Sequence, residues 1–250
     1  MSGHSKWATI KRKKGAIDKA KGKTFAKLAR QLEVATREGA SGDVSSNAAL
    51  RTVVAKAKAA HMTNDAIDRA IKRGLGEQTG ASYESITYEA YAPGGVAILI
   101  DALTDNRNRT ASDVRSLFSK WGGAMAEPGS VGWQFTRKGV IQVDKAVSED
   151  DVMAVALDHG ADDIVDEGDN WRVTCESSSV DELKSALEAQ GIAVQSATST
   201  MVSSMSVPVT DAAVAKAIIK IMDDLEENDD IQDVYSNFDM SDDLMSEAAS

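Results

Sequence analysis

The sequence predicts an α+β multidomain protein: an N-terminal three-helix domain, a mixed α/β middle domain, and a ferredoxin-like βαββαβ domain inserted into the middle one. Three observations carry this. Apolar residues recur at helical spacing through the first 75 residues, the pattern turns to strands after a Gly-rich stretch, and from about Gly139 the elements run strand, helix, strand, strand, helix, strand. The expected boundaries are 1–78 for the basic helical domain, 82–136 with 204–240 for the discontinuous mixed domain, 137–203 for the insert, and 241–250 for an acidic tail.

Each element has a local reason. Phe25, Leu28, Leu32 and Ala35 form an apolar stripe that ends near Gly39. On the opposite face, at about 100° per residue, fall Lys23, Lys27, Arg30 and Arg37, free to meet solvent or phosphate. Beyond "GASGDVSSN", Leu50, Val53, Val54 and Ala57 mark a second helix that also bears Arg51, Lys56 and Lys58. "MTNDAIDRAIKRG" gives a third, with Thr63 or Asn64 as N-cap and Gly74 as its stop. "GLGEQTGAS" reads as a linker.

After the linker, "ESITYEAY" and "VAILIDALT" read as strands joined at Ala92-Pro93-Gly94-Gly95. Thr110, three residues before Asp113, is the expected cap of a helix through Val114, Leu117, Phe118 and Trp121 that stops at Gly122-Gly123. "VGWQF" and "KGVIQVD" supply strand material that leads into the insert. The strand "SMSVPVT", a helix over Asp211 to Leu225 and the strand "IQDVYSNF" are too few for another core, so they are expected to complete the sheet begun at Ile86.

Composition narrows the function. The formal net charge of −11 hides a division: residues 1–75 hold 17 Lys+Arg against 6 Asp+Glu, a formal +11, and the remainder sums to −22. Such a split points to a polyanion partner for the basic part. The single cysteine, Cys175, excludes an intramolecular disulfide. No apolar run is long enough to span a membrane, so no membrane partner is expected. His4, His61 and His159 lie in separate segments without metal-binding spacing, and the acidic runs "DDIVDEGD" and "DDLEENDDIQD" do not fit a calcium loop. Neither "GLGEQTG" nor "PGG" is a nucleotide-binding loop. The expectation is no enzyme, no catalytic residue, no metal and no cofactor; the acidic runs read as solvated faces.

Lys11, Arg12, Lys13 and Lys14 are consecutive cations with no acid before Asp18, and Trp7 beside Lys6 could stack on a base. In "DNRNRT", Arg107 and Arg109 precede a helix whose first-turn N–H groups and dipole favour an anion, with Asn106 and Asn108 adding amide donors. The competing reading of that loop pairs Asp105 with an arginine.

"MSGHSKW", "YEAYAPGGVA", "TDNRNRT" and "DIQDVYSN" together resemble the YebC/PmpR family, whose mitochondrial relatives are translational activators of cytochrome c oxidase. The resemblance runs from Met1 to about Asp243 and implies the same three-domain arrangement. It implies a nucleic-acid-binding regulator of transcription or, alternatively, a ribosome-associated factor that assists translation; a protein-protein adaptor is the third class. The nucleic-acid contacts it implies are Gly3, His4, Ser5, Lys6 and Trp7, then Lys11 to Lys14, Lys19, Lys21, Lys23, Lys27 and Arg30, and the loop residues Asn106, Arg107 and Arg109. Since mitochondrial members carry an extension before Ser-Lys-Trp, it also implies a bacterial cytoplasmic protein. Neither residues nor resemblance indicate an oligomeric state.

Overall fold

A computed structural model describes residues 17–76 and 82–249. Three helices come first: α1 (Ile17–Glu38), α2 (Ala48–Ala59) and α3 (Asn64–Gly74). The stripe read from the sequence is their core, with Leu32, Leu50, Ala57 and Ala70 fully buried beside Leu28, Ala35 and Ile67. Asn47 caps α2 by accepting the Leu50 N–H, and its amide nitrogen donates to the Ala35 carbonyl, tying the second helix to the end of the first. Thr63 is the N-cap of α3.

The mixed domain is a four-stranded sheet in the order β3-β1-β2-β9, from β1 (Glu84–Ala92), β2 (Val96–Thr104), β3 (Ala124–Met125) and β9 (Ile231–Ser236). Strand β2 is central, which explains its near-continuous apolar run: eight of its nine residues are buried. Between β1 and β2 the chain turns at Pro93–Gly95, where Gly94 and Gly95 both take positive φ, a region that glycine enters without strain. Two helices, α4 (Arg107–Lys120) and α7 (Ala212–Glu227), supply Val114, Phe118, Ile218, Ile219 and Met222 to a core with Ile98 and Ile100. The last strand of the sequence does join the sheet, through β9 against β2. By contrast "SMSVPVT" contributes only β8 (Val207–Pro208), which pairs in parallel with β10 (Phe238–Asp239) outside that sheet. Val207 and Val209 donate to the Asn237 and Asp239 carbonyls at 2.8 and 2.7 Å, so Pro208, which has no N–H, sits at a position that gives none to the ladder.

The expected acidic tail contains a helix over residues 242–248. Helix α8 (Asp242–Ala248), capped by Ser241, buries Met245 and Ala248 in the mixed-domain core.

The insert contains β4 (Phe135–Asp144), α5 (Glu149–Asp158), β5 (Ala161–Asp166), β6 (Asn170–Glu176), α6 (Val180–Ala189) and β7 (Val194–Ser203). Its antiparallel sheet has the order β5-β6-β4-β7, the ferredoxin-like arrangement. Ile141, Val173, Leu183 and Leu187 centre its core, and Cys175 is buried among them as a small hydrophobe. "GWQ" in the expected strand "VGWQF" is a 3-10 turn instead, and the strand starts at Phe135. The chain forms two compact units: one is Trp133–Ser206, and the other takes the described residues before and after it.

Turn geometry at the end of α4 yields a test. Gly122 takes φ of 78°, and a Cβ on the next residue, Gly123, would lie 2.7 Å from the Tyr91 carbonyl oxygen and 2.9 Å from the Phe118 ring. Backbone on one side and a fully buried ring on the other leave little room to relax. Gly123→Ala is expected to lower stability by about 1–3 kcal/mol, read as a shift in the urea midpoint at unchanged m-value.

Candidate nucleic-acid interface

The basic face of α1 is built as the helical spacing requires, with Leu28, Leu32 and Ala35 turned to the core and Lys23, Lys27 and Arg30 on the other side. That other side is partly covered. It packs against the end of α7 and the residues that follow, where Glu226, Glu227, Asn228, Asp229 and Asp230 lead into β9. The Lys23 Nζ donates to the Glu227 carboxylate at 2.5 Å and to the Glu227 carbonyl at 2.9 Å. The Lys27 Nζ donates to the Glu226 carbonyl at 3.0 Å. Arg30 donates to the Asp229 carbonyl and, at 2.9 Å, to the Asp230 carboxylate, while its guanidinium lies 5.1 Å from the Tyr83 ring centre. Arg37, further along, reaches Ser82 and Tyr83 at 3.4 Å. Burial under this loop pushes the Lys27 ammonium below its ordinary pKa, although Glu226, Asp233 and Asp229 partly oppose the shift.

Asp230 is the centre of the arrangement. It is 5% exposed, and its carboxylate accepts from donors on three elements. Arg30 reaches one oxygen from α1; the other takes Arg109 at 2.7 Å and Thr110 at 2.7 Å from α4, with Thr104 at 3.2 Å from the end of β2. Burial alone would push this carboxyl up, but the hydrogen bonds from Arg109 and Thr110 outweigh it and hold the group below the usual carboxylate range. Arg109, which also bonds Asp105 at 2.9 Å, is raised above its ordinary value mainly by the Asp230 bond.

The "DNRNRT" loop therefore divides. Asn106, not Thr110, caps α4, its side-chain oxygen accepting the Arg109 N–H at 3.1 Å. Thr110 is buried one turn further in, where its hydroxyl is committed to Asp230 and Thr104. The pairing of Asp105 with an arginine is present, in Arg109. Arg107 and Asn108 line an open groove of about 590 Å³ together with Glu84, Ile86, Tyr88 and Asp105. Arg107 has only a loose pairing with Glu84, at 3.8 Å. Beneath it the Tyr88 hydroxyl donates to the Arg107 carbonyl at 3.2 Å.

Of the other expected contacts, His4, Ser5, Lys6, Trp7, Lys11, Arg12, Lys13 and Lys14 lie outside the described residues. Lys19 and Lys21 belong to α1, with side chains likewise outside them. The structure instead draws attention to Lys56 and Lys58 in the last turn of α2 and to Lys72 in the last turn of α3. All three are exposed, and none is in an ion pair among the described residues. The signal was in the charge division, but only the fold separates these cations from those that are covered. Among the described residues no group of three His, Cys, Asp or Glu is placed to hold a metal, and no helix is long and apolar enough to cross a membrane.

The description of the TACO1/YebC protein N-terminal domain matches residues 5–77, and that of the TACO1/YebC second and third domain matches residues 83–238. The chain belongs to the TACO1/YebC family. Similar proteins of this kind include a probable transcriptional regulatory protein of Rubrobacter xylanophilus, 52% identical over all of both chains. Another, from Mycolicibacterium gilvum and also called a probable transcriptional regulatory protein, is 50% identical over 98% of this chain and 97% of its own. The crystal structure of a conserved hypothetical protein from Aquifex aeolicus is similar with a TM-score of 0.76 at 40% identity, covering 90% of this chain and 93% of that one. Within this TACO1/YebC chain, Arg109 and Thr110 of the "TDNRNRT" segment hold Asp230, and Asn237 of "DIQDVYSN" accepts the Ala97 N–H at 2.8 Å to fix β2.

Asp230→Asn keeps an acceptor and loses the charge, so about 2–3 kcal/mol of stability should disappear at neutral pH. The sign with pH follows from the lowered carboxyl. Its stabilisation is complete above the ordinary aspartate value of about 3.9 and is lost as pH falls through the lower folded value. Urea midpoints of wild type and variant should differ most at neutral pH and converge in strong acid.

Proposed function

We propose that this protein is a non-enzymatic, nucleic-acid-binding regulator of gene expression whose helical domain grips phosphates. The observation that carries the reading is the charge division: +11 over residues 1–75 against −22 elsewhere, with Lys56, Lys58 and Lys72 exposed and unpaired among the described residues of the basic part. Counterion release from a polyanion rewards such a surface and requires no base reading. The relatives' names, probable transcriptional regulatory protein, support the regulatory role and point to DNA. In sequence, the expected contacts His4, Ser5, Lys6, Trp7, Lys11 to Lys14, Lys19 and Lys21 contribute seven of the basic residues in that count and remain part of the proposal.

A second reading, an RNA- or ribosome-associated translation factor, is favoured by one specific feature. Two of the four loop groups suited to reading base edges are committed elsewhere, leaving Arg107 and Asn108: the Asn106 oxygen caps α4 and the Arg109 guanidinium binds Asp230 and Asp105. Phosphate grip and shape, which suffice for structured RNA, remain. Sequence-specific DNA recognition would need further groups that contact bases.

Two measurements separate these readings. A DNA regulator binds its own promoter duplex more tightly than a scrambled duplex across a salt series; a ribosome binder treats the two alike and co-sediments with ribosomes from an extract. For either, replacing Lys56, Lys58 and Lys72 with Ala should weaken binding and flatten the plot of log affinity against log salt by about 0.7–0.9 for each phosphate no longer neutralised. An unchanged slope would remove these lysines from the interface.

A further inference from the structure

We propose that the α1 face bearing Lys23, Lys27 and Arg30 is a phosphodiester-binding site occupied in the free protein by residues 226–230 of its own chain, so that a nucleic-acid strand reaches it by displacing that loop. The inference rests on the nucleic-acid reading above and adds a second, covered site with an internal competitor.

The loop presents oxygens as a polyanion would. Three cations at i, i+4 and i+7 of one helix meet two carboxylates and three peptide carbonyls from five consecutive residues. Each of these contacts is polar. At Lys27 the match is poor: burial strips water from the ammonium, and its hydrogen bond goes to a neutral carbonyl. A phosphate oxygen there would bring a full opposite charge.

The acidic partner is also strained in the electrostatic sense. Helix α7 ends with Asp223, Asp224, Glu226 and Glu227 and has no basic residue in its last turn. Carboxylates at a helix C-terminus oppose the negative end of its dipole. No Lys or Arg within this last turn offsets that charge, as none does in the last turns of α5 and α6. Instead the negative charge is met from outside the helix, Asp224 by Lys120 of α4 and Glu227 by Lys23 of α1. Local conflicts of this kind are expected at functional sites.

The latch can open with the buried carboxylate still held at one oxygen. When Arg30 leaves, the oxygen it reached is freed toward solvent or the incoming strand, and the other retains Arg109, Thr104 and Thr110. The outer pair, Lys23 with Glu227, is exposed at 40% and 74%, and pairs of that kind are weak and screened by salt. Polyanion contacts at the same cations, added to those at the rest of the basic domain, compete on favourable terms.

The test uses the full chain and a fluorescent single-stranded RNA of mixed sequence, with DNA of the same sequence as a parallel arm. Glu227→Gln with Asp229→Asn removes loop charge at two exposed positions and leaves Asp230 in place. This variant should bind both strands roughly three- to fivefold tighter at low salt, the range expected from releasing a weak exposed pair. Adding Lys23→Ala and Lys27→Ala to it should abolish the gain, with thermal unfolding by circular dichroism confirming that each variant is folded. A gain that survives loss of the two lysines would reflect net charge alone and would overturn the covered site. So would no gain at all, even where the Lys56, Lys58 and Lys72 variant confirms binding elsewhere on the domain. If the wild type binds neither strand at low salt, the nucleic-acid reading fails first and the covered site with it. A gain for RNA only, or for DNA only, supports the site and identifies the strand it takes.

Discussion

A buried carboxylate must be matched by donors, and Asp230 imposes that requirement on three separate parts of the chain. Arg30 comes from the helical domain, Thr104 from the end of the central strand, and Arg109 with Thr110 from the first turns of α4. Its main chain takes part as well, since the Asp230 carbonyl accepts the Leu103 N–H at 2.8 Å beside the irregularity in the pairing of β2 with β9. Leaving such a group without partners costs more than any one of the bonds returns. The start of α4, the end of β2, the approach to β9 and the seating of α1 are therefore parts of one electrostatic solution.

That constraint changes how the "TDNRNRT" segment is understood. Two arginines at the start of a helix suggest an anion site, and half of the suggestion is answered inside the protein: the anion at Arg109 is Asp230. Arg107, two residues earlier, points the other way, into the open groove. The alternation follows from the helix. Asn106 fixes the first turn as its cap, Arg109 and Thr110 then fall on the face toward β9, and Arg107 and Asn108 fall on the face toward β1. One short motif thus serves packing through Arg109 and Thr110 and lines an open groove through Arg107 and Asn108.

Most of the fold was legible because it rests on short-range pattern. The stripe through Leu28, Leu32 and Ala35, the apolar run of β2 and the βαββαβ rhythm all survive in the structure, since periodicity and turn residues act within a few positions. Thr110 has the spacing of a cap, three residues before an acid, yet it is not one: Asn106 caps without such an acid, and Thr110 is needed by a carboxylate 120 residues away. The fate of the basic face was illegible for the same reason. A helical projection shows that Lys23, Lys27 and Arg30 lie opposite the core, but not that residues about 200 positions later cover them. Likewise "DDLEENDDIQD" reads as a solvated acid face, and nothing local marks Asp230 as its buried member.

On the proposed reading, the separation of covered from open cations bears on how a chain of net charge −11 would meet a polyanion. At physiological salt, fields between exposed charges fade over about 8 Å, so most of the acidic remainder is nearly invisible to a strand lying on the helical domain. The arrangement of charge is local: among the described residues Lys56, Lys58 and Lys72 on α2 and α3 are in no ion pair, whereas the α1 face has acids in direct contact. Net charge adds these two surfaces together and misrepresents both. The carboxylates that matter to α1 are the few held within hydrogen-bonding reach, and their influence depends on the geometry of one loop rather than on the acid content of the chain.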